Sequence, residues 1–341
     1  MSVSRMLSQL LLIIGSVLCM TLGSSQFAAA QSLGNRPIRM ILPYTTGGPV
    51  DVSARILAEA ISPILGVPVV VENRPGANGK IAMEAVARAE PDGHTLIYGG
   101  STQLVTLPQL DKTVTFKPFD DFRMVSIYTK YDIVFMTGAS TGIKSMKELL
   151  AKMQNPNEDV IYASIAQPEM TPTGMAYLVF SRMYNGKARA VNYPGQAPGT
   201  LDLLAGRVTF ATYTLTGSLQ LIQSGKLVAL AVASPARLPQ LPDVPTMAEA
   251  GFPEFMTANN WLPWIALAGP ARTPDAIVNT INRAIVQATQ TEAFKARLVS
   301  TGLLLQASGS AADDQAAWRA EFGRLAGTLK RFDIKLPDEK K

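Results

Sequence analysis

Short apolar segments rich in β-branched residues alternate with segments of helical period along most of the chain. In the first part, strands are predicted at 38–42, 67–71 and 95–98, with helices at 50–62 and 80–89. A second series has predicted helices at 145–153, 174–184 and 196–204, and strands at 160–163, 188–191 and 208–212. This alternation is typical of parallel sheets covered by helices. The pattern therefore predicts an α/β protein built from two such units.

The last third of the chain leaves this regular alternation. A strand is predicted at 227–232, a proline-rich stretch at 235–253 and an extended apolar segment at 261–267. Pro274 stands where a helix begins, and isoleucines at 277, 281 and 285 repeat along one face of that helix. Further helices are predicted at 292–299 and 311–332, so the chain is expected to end in helices.

The first thirty residues have the features of an export signal. Arg5 precedes an apolar run at 10–20, and three alanines end the segment at Ala30. We therefore predict a signal peptide at 1–30, cleaved near Ala30, and a periplasmic mature protein. Cys19 lies within this segment, so neither disulfides nor thiol chemistry are expected in the mature protein. No later apolar run has the length that a membrane helix needs.

Composition and charge exclude several classes of function. The 341 residues are 47% hydrophobic, which excludes a disordered chain. Lys and Arg exceed Asp and Glu to give a formal charge of only +5, and the basic residues are scattered along the chain. Because nucleic-acid binding requires a concentrated basic patch, no nucleic acid is expected among the partners.

Catalytic and cofactor motifs are scarce. The chain has one histidine, His94, in a predicted turn before a strand. It has no HExxH motif, no GxGxxG segment after a strand and no GxxxxGK[ST] loop, so neither a metal nor a cofactor is expected. Ser101 lacks the second flanking glycine of a nucleophile elbow, and His94 lies at the other end of the same predicted strand. The sequence leaves a pair of catalytic carboxylates open.

The loop after the first predicted strand is a candidate anion site. Thr45 and Thr46 supply hydroxyl groups, while Gly47 and Gly48 allow backbone amides to approach a ligand closely. The helix that follows directs its positive end toward this loop, which favours an anion there. The alternative is structural: the glycines turn the chain, and Asp51 caps the helix.

Several further segments form an ordered series of sequence blocks. They are Pro43-Tyr44-Thr45-Thr46-Gly47-Gly48-Pro49-Val50-Asp51-Val52-Ser53-Ala54-Arg55, Val71-Glu72-Asn73-Arg74-Pro75-Gly76-Ala77-Asn78-Gly79, Pro91-Asp92-Gly93-His94-Thr95-Leu96, Tyr193-Pro194-Gly195, Leu204-Ala205-Gly206-Arg207-Val208, Leu241-Pro242-Asp243-Val244-Pro245-Thr246 and Pro270-Ala271-Arg272-Thr273-Pro274. Over essentially the whole mature chain, these blocks resemble the Bug family, the extracytoplasmic solute receptors of tripartite tricarboxylate transporters.

The resemblance implies a type II periplasmic-binding-protein fold, in which two lobes joined by a hinge enclose a cleft. Lobe 1 would comprise residues 31–137 and 258–341 and lobe 2 residues 138–257, with chain crossings near Thr137 and Thr257. The resemblance also implies a monomer that closes on a small carboxylate and delivers it to the membrane permease subunits of such a transporter. Neither catalysis nor a cofactor is implied.

The candidate ligand-binding residues follow from the resemblance and the predicted loops. In lobe 1 they are Tyr44, Thr45, Thr46, Gly47, Gly48, Ser101 and Thr102, with Asp51 as a supporting residue; in lobe 2 they are Ser164, Ala166, Thr171, Thr173, Gly174, Tyr193 and Tyr213. No Lys or Arg occurs at 43–51 or 165–177, so amides, hydroxyls and ordered water would hold the carboxylate. The competing interpretation is that the threonines and serines are helix caps and the tyrosines pack in the core.

Three departures from the family's usual pattern bear on the ligand. Residues 164–175 lack the family's glycine- and serine-rich turn, Tyr213 stands where relatives often have aspartate, and 259–264 reads Asn-Asn-Trp-Leu-Pro-Trp. Together with Tyr44 and Tyr193, these changes suggest an aromatic acid such as terephthalate. The alternatives are a receptor for aliphatic di- or tricarboxylates or amino acids, a sensor subunit for a histidine kinase, and an exported carboxylate-processing enzyme.

Overall fold

The computed structural model describes residues 33–215, 217–258, 263–299, 301–306 and 309–336. The predicted signal peptide at 1–30 and the unusual residues 259–262 lie outside this part of the chain. From Leu33 onward the chain forms one compact unit.

The described strands form two sheets. The six-stranded sheet has the order β11-β4-β10-β3-β1-β2 and consists of β1 (Ile38–Leu42), β2 (Val69–Asn73), β3 (Thr95–Gly100), β4 (Phe122–Lys130), β10 (Trp264–Pro270) and β11 (Leu304–Leu305). The five-stranded sheet has the order β7-β6-β8-β5-β9 and consists of β5 (Ile133–Gly138), β6 (Ile161–Ser164), β7 (Arg189–Asn192), β8 (Phe210–Thr214) and β9 (Leu227–Val232).

Helices connect most of these strands. They are α1 (Pro49–Leu65), α2 (Lys80–Ala87), α3 (Leu107–Leu110), α4 (Pro118–Asp121), α5 (Met146–Gln154), α6 (Pro172–Met183), α7 (Gln196–Leu204), α8 (Leu219–Gln223), α9 (Pro253–Ala258), α10 (Asp275–Thr289), α11 (Glu292–Val299) and α12 (Ala311–Arg331). Short 3₁₀ turns lie at Ala77–Gly79, Ala139–Thr141 and Pro168–Met170, and a π-helical turn at Thr102–Thr106. No helix among these is both long enough and apolar enough to cross a bilayer.

The predicted alternation of strands and helices is confirmed. The strands predicted at 38–42 and 227–232 and the helix predicted at 196–204 coincide with β1, β9 and α7. β4 and β5 occupy a stretch for which the pattern predicts no element. Both strands are buried along nearly their whole length, so their apolar residues run together without the period of two that marks a strand with one exposed face.

The directions of the strands bring the functional loops to one edge of each sheet. β1, β2 and β3 are parallel, and β10 is antiparallel to both β3 and β4, so β1 to β4 all end at the same edge. In the second sheet β6, β7 and β8 are parallel and β5 is antiparallel to β8, so β5 begins at the edge where the other three end. Only Tyr131 and Asp132 separate β4 from β5, so these two edges adjoin.

The first passage between the sheets therefore lies at Tyr131 and Asp132, whereas the sequence places it near Thr137. β5, which contains Thr137, belongs entirely to the five-stranded sheet. The return passage lies between β9 and β10, and Thr257 stands in α9 within that interval.

Three clusters of buried side chains form the core. One covers the face of the six-stranded sheet that packs on α1 and α10. Another continues from the opposite face of this sheet, under α2 and α12, to the face of the second sheet covered by α5, α6 and α9. The third lies between the second sheet and α7 and α8. Both sheets thus have helices on both faces, which leaves the strand ends as the surface for ligands.

The C-terminal helices are joined to the six-stranded sheet by side chains that bond its backbone. Asn282 of α10 donates to the carbonyl of Val125 at 2.9 Å, and the amide of Met124 donates to Gln315 of α12 at 2.8 Å. Trp318 donates from its indole to the carbonyl of Leu104 at 3.0 Å. The chain's last helices therefore complete the unit that its first strands begin.

Candidate functional site

A buried carboxylate organises the loop after β1. Asp51, with a side chain only 2% exposed, accepts the amide of Gly47 at 2.9 Å, two guanidinium bonds from Arg55 at 3.0 and 3.1 Å, and the amide of Asn73 at 2.9 Å. Asn73 also donates to the carbonyl of Tyr44 at 3.0 Å. Burial opposes ionisation, but the donors of Arg55, Gly47 and Asn73 outweigh it and hold the pKa of Asp51 below its usual value. The oxygens of Asp51 are therefore committed to holding the loop.

Gln103 connects this loop to the turn after β3. Its side-chain oxygen accepts the Tyr44 hydroxyl at 2.8 Å and the Gly100 amide at 3.1 Å, and its side-chain nitrogen donates to the carbonyl of Asn78 at 3.2 Å. A Cβ on Gly79 would lie 2.6 Å from Cγ of Gln103, so this glycine allows the close approach. Three loops that are far apart in sequence therefore meet at one side chain.

The two glycines of the first loop have different roles. Gly47 has a φ of +89°, a conformation that L side chains rarely adopt, and its amide is taken by Asp51. Gly48 has a φ of −77°, and a Cβ there would meet nothing within 4 Å. Neither strain nor packing therefore requires a glycine at Gly48. Within the described residues, the amides of Thr45, Thr46, Gly48 and Val50 have no acceptor.

At the end of β3, Ser101 and Thr102 occupy different environments. Ser101 is 1% exposed, and no described group forms a hydrogen bond with its hydroxyl. Thr102 is half-buried and begins the π-helical turn. A buried hydroxyl without a partner is costly, by about 1–3 kcal/mol, and is usually explained by a bound group or an ordered water.

The second sheet presents a similar pair of buried hydroxyls. Ser164 at the end of β6 and Tyr213 in β8 are 0% and 1% exposed, and neither hydroxyl forms a hydrogen bond of ordinary length in the described part of the chain, although Ser164 lies near enough to Tyr162 to lower the pKa of that tyrosine. Tyr213 lies under α7, where a Cβ on Gly199 would come within 1.9 Å of its hydroxyl oxygen. Tyr193 lies beside the same glycine and donates its own hydroxyl to Asp202 at 2.7 Å.

The hydroxyls of the three predicted tyrosines differ in what they can still bond. Those of Tyr44 and Tyr193 are already donated, to Gln103 and Asp202. Burial, together with the Asp202 carboxylate, raises the pKa of Tyr193 to about 12, so it stays neutral. Tyr213 is the one of the three whose hydroxyl hydrogen has no acceptor in the described structure. Tyr44 and Tyr193 can therefore contact a solute through their partly exposed rings, whereas Tyr213 can donate a hydrogen bond from its hydroxyl.

The remaining candidates of the second sheet are engaged in local structure. Thr171 is the N-cap of α6 and accepts the amide of Gly174 at 3.0 Å, and Thr173 donates its hydroxyl to Thr171 at 3.3 Å. A Cβ on Gly174 would lie 2.3 Å from the carbonyl oxygen of Pro168, so this glycine serves close packing. Ala166 is half-buried between β6 and the 3₁₀ turn. For Thr171 and Gly174 the geometry accounts for the residue without a ligand.

Sequence reasoning did not find three polar residues that organise the site. Gln103 and Asn73 hold the first loop, and Gln196 joins α7 to β8 through bonds with Thr214 at 3.0 and 3.2 Å. Asn73 stands inside one of the sequence blocks named above, and Gln103 follows Ser101 by two residues, but an amide side chain has no spacing that predicts its partner. Their partners come from segments that are distant in sequence and meet only in the folded protein.

A separate surface hollow of about 270 Å³ lies away from these residues. Its lining is Ala87, Ala89, Pro91, Asp120, Asp121, Pro270, Ala271 and Arg272. These residues surround the start of β4 and the end of β10, at the opposite edge of the sheet from Ser101. It is therefore not part of the candidate site.

Two helix-covered sheets whose adjoining edges carry amides and buried hydroxyls define a type II periplasmic binding protein. Solved structures of this class are similar to the chain over most of its length. MatC (Rpa3494) from Rhodopseudomonas palustris with bound malate has a TM-score of 0.74 and 26% identity, covering 86% of this chain and 99% of that one. Rpa4515 of R. palustris with adipate has a TM-score of 0.78 and 28% identity, covering 89% and 99%.

Residues 53–318 match the model of the tripartite tricarboxylate transporter family receptor. The chain is also 32% identical over 334 residues to protein BugT of Bordetella pertussis, covering 95% of this chain and 99% of BugT. The chain belongs to this family of periplasmic solute receptors, which confirms the family and the fold class that the sequence indicates.

Proposed function

We propose that this protein, acting as a monomer, captures a small organic acid between the adjoining edges of its two sheets and delivers it to a membrane permease. Closure of the lobe built on the five-stranded sheet onto the lobe built on the six-stranded sheet would enclose the solute. The proposed ligand-binding groups are the amides of the loop after β1, the hydroxyls of Ser101, Ser164 and Tyr213, and the rings of Tyr44 and Tyr193.

The observation that carries the proposal is a group of buried hydroxyls at these edges that form no hydrogen bond among the described residues, and Ser101, Ser164 and Tyr213 are the candidate ligand residues in that group. Ser101 directly follows β3 of the first sheet, and Ser164 and Tyr213 belong to strands of the second. A carboxylate accepts several hydrogen bonds at once, so a single solute could satisfy donors from both sides. The malate and adipate bound in the two R. palustris receptors support this chemical class.

We further propose that the solute is an aromatic acid, with terephthalate as the first compound to test. Tyr44 and Tyr193 are half-buried, and their hydroxyls are held by Gln103 and Asp202. Fixed rings with partly exposed faces favour a flat solute, because stacking adds to the burial of apolar area.

Thermal unfolding in the presence of terephthalate, benzoate, citrate, succinate and glutamate tests both proposals. A ligand at about one hundred times its dissociation constant stabilises a receptor by about 2.7 kcal/mol, which raises Tm by roughly 4 °C for a protein of this size. We expect at least one aromatic acid to produce such a shift. Stabilisation by aliphatic acids alone would disprove the aromatic proposal, and no shift with any acid would disprove the receptor proposal.

Two leucine variants separate stacking from carboxylate binding. Tyr44→Leu and Tyr193→Leu should lower the affinity for aromatic acids about tenfold more than the affinity for aliphatic acids, because each variant removes a ring and leaves the backbone amides in place. Mass spectrometry of the solute after long incubation provides the control for catalysis. A receptor returns the acid unchanged, whereas a chemically altered acid would indicate an exported enzyme.

A further inference from the structure

Asp132 is a buried carboxylate at the passage between the two sheets. The residue is 5% exposed, yet across the part of the chain that the structure describes it has neither a hydrogen bond nor an ion pair within 4.0 Å. The positive charge of Lys130, two residues earlier, lowers the pKa of Asp132. Burial raises the pKa of Asp132, and Lys130 opposes this only in part. In the unliganded protein the charged form of Asp132 is therefore poorly stabilised.

The position of Asp132 places it with the candidate ligand groups. β5 begins at Ile133, which pairs with Thr214 at the end of β8, so Asp132 lies at the edge where β6 and β8 end. Asp132 directly precedes β5, and continuing the alternation of side chains in β5 by one residue would put it on the same face as Val134. Val134 packs in the cluster that contains Tyr213, whereas Ile133 packs in a different cluster.

An ionised carboxylate accepts hydrogen bonds and cannot donate one. Beside a bound anion it would repel the solute, unless the solute also presents a donor to it. We propose that Asp132 is a ligand-recognition residue, and that the solute carries a hydroxyl or ammonium group in addition to its carboxylate. This inference rests on the proposed receptor function, and it narrows the solute to an acid that carries a donor, which favours a hydroxylated aromatic acid over terephthalate.

Calorimetric titration with matched acids tests this selection. Succinate, malate and aspartate differ only in having no donor, a hydroxyl or an ammonium on the same carbon chain, and benzoate with 4-hydroxybenzoate form an aromatic pair. We expect a donor-bearing acid to bind at least tenfold more tightly than its donor-free partner in one series. Asp132→Asn should reduce that preference at least threefold, and Asp132→Ala should reduce it further. Asp243→Asn, the same change at an exposed position, should leave it unchanged.

Three results would overturn the inference while leaving the receptor function intact. They are equal affinity for donor-free and donor-bearing acids, an unaltered preference in Asp132→Asn, and an equal loss of affinity for all acids in that variant. The last would indicate that Asp132 only supports the hinge, since a structural role does not change the ratio between matched ligands. If the wild-type protein binds none of these acids and no terephthalate, both the inference and the proposed function fail.

Discussion

The carboxylate of Asp51 accepts the backbone amide of Gly47 at 2.9 Å and so ties the start of α1 to the loop that precedes it. The same carboxylate accepts hydrogen bonds from Arg55 and Asn73, and Asn73 also donates to the carbonyl of Tyr44. One ionised group therefore fixes the backbone whose amides we propose as ligand donors. Removing the Asp51 carboxylate should therefore destabilise the loop after β1 more than the rest of the fold.

Replacing Asp51 by Asn should lower the free energy of unfolding by about 2–3 kcal/mol at pH 7, since it removes charge-assisted hydrogen bonds to a buried acceptor. Because the pKa of Asp51 is lowered in the folded protein, its stabilisation is present above the unfolded pKa and is lost as pH falls through the folded pKa. Denaturant unfolding at pH 7 and pH 3 should show the difference between wild type and variant shrinking in acid. An undiminished difference at pH 3 would contradict this account.

Gly47 and Gly48 should respond differently to alanine. Gly47→Ala forces a left-handed conformation and should cost about 1–2 kcal/mol of stability. Gly48→Ala meets no atom within 4 Å and should leave stability within about 0.5 kcal/mol of wild type. If a solute approaches the Gly48 amide, the added methyl group should nevertheless weaken acid binding at least tenfold. Unfolding curves and titrations of both variants decide this, and unchanged affinity in Gly48→Ala would remove that amide from the site.

Two buried tyrosines offer a matched test of an unpartnered hydroxyl. Tyr213→Phe removes a hydroxyl without a partner, so stability should stay the same or rise. Tyr162→Phe breaks a 2.6 Å hydrogen bond with Thr212 and should cost about 1 kcal/mol. For acid binding the order should reverse, with about a tenfold loss in Tyr213→Phe and little change in Tyr162→Phe. A Tyr213→Phe protein that binds acids normally would show that this hydroxyl does not serve the solute.

Glu321 of α12 should make the protein less stable as pH rises. Burial raises the pKa of this carboxyl to about 7, although the indole of Trp264 donates to it and Arg324 lowers the value in part. A raised folded pKa means that stability is greatest below the unfolded value, near 4.5, and declines as pH rises toward 7.

Glu321→Gln keeps an acceptor for Trp264 and cannot ionise. It should therefore match the wild type near pH 4.5 and exceed it by roughly 3 kcal/mol at pH 8. Melting curves across this range provide the measurement. Parallel curves for the two proteins would show that the pKa of Glu321 is not raised in the folded protein.

Much of the fold could be predicted because it is encoded in neighbouring residues. The alternation of apolar runs and helical periods predicted β1, α7 and β9 at their observed bounds. The glycines and threonines after β1 indicated the loop that we propose as part of the site. The pattern did not predict β4 and β5 because both strands are buried on both faces. The passage between the sheets was consequently placed within β5 instead of before it.

The candidate site depends on contacts that local sequence does not encode. Tyr44 and Gln103 are 59 residues apart, and Tyr193 takes its partner from the next helix instead of offering its hydroxyl to the edge. Thr171 and Gly174 have the residue types of a ligand loop, but their geometry is that of a helix cap and a close packing contact. Asp132 belongs to no sequence motif, and only its burial without a partner among the described residues distinguishes it.

The amino-acid sequence by itself determined the α/β elements, the export signal as an expectation, the family and the lack of a cation in the predicted loops, because each depends on residue types at short spacing. Only the tertiary structure decided which hydroxyls form hydrogen bonds within the described protein and which can still bond a solute. That distinction depends on burial and on donor and acceptor pairs between distant segments, and these exist only after the strands have set their order and direction.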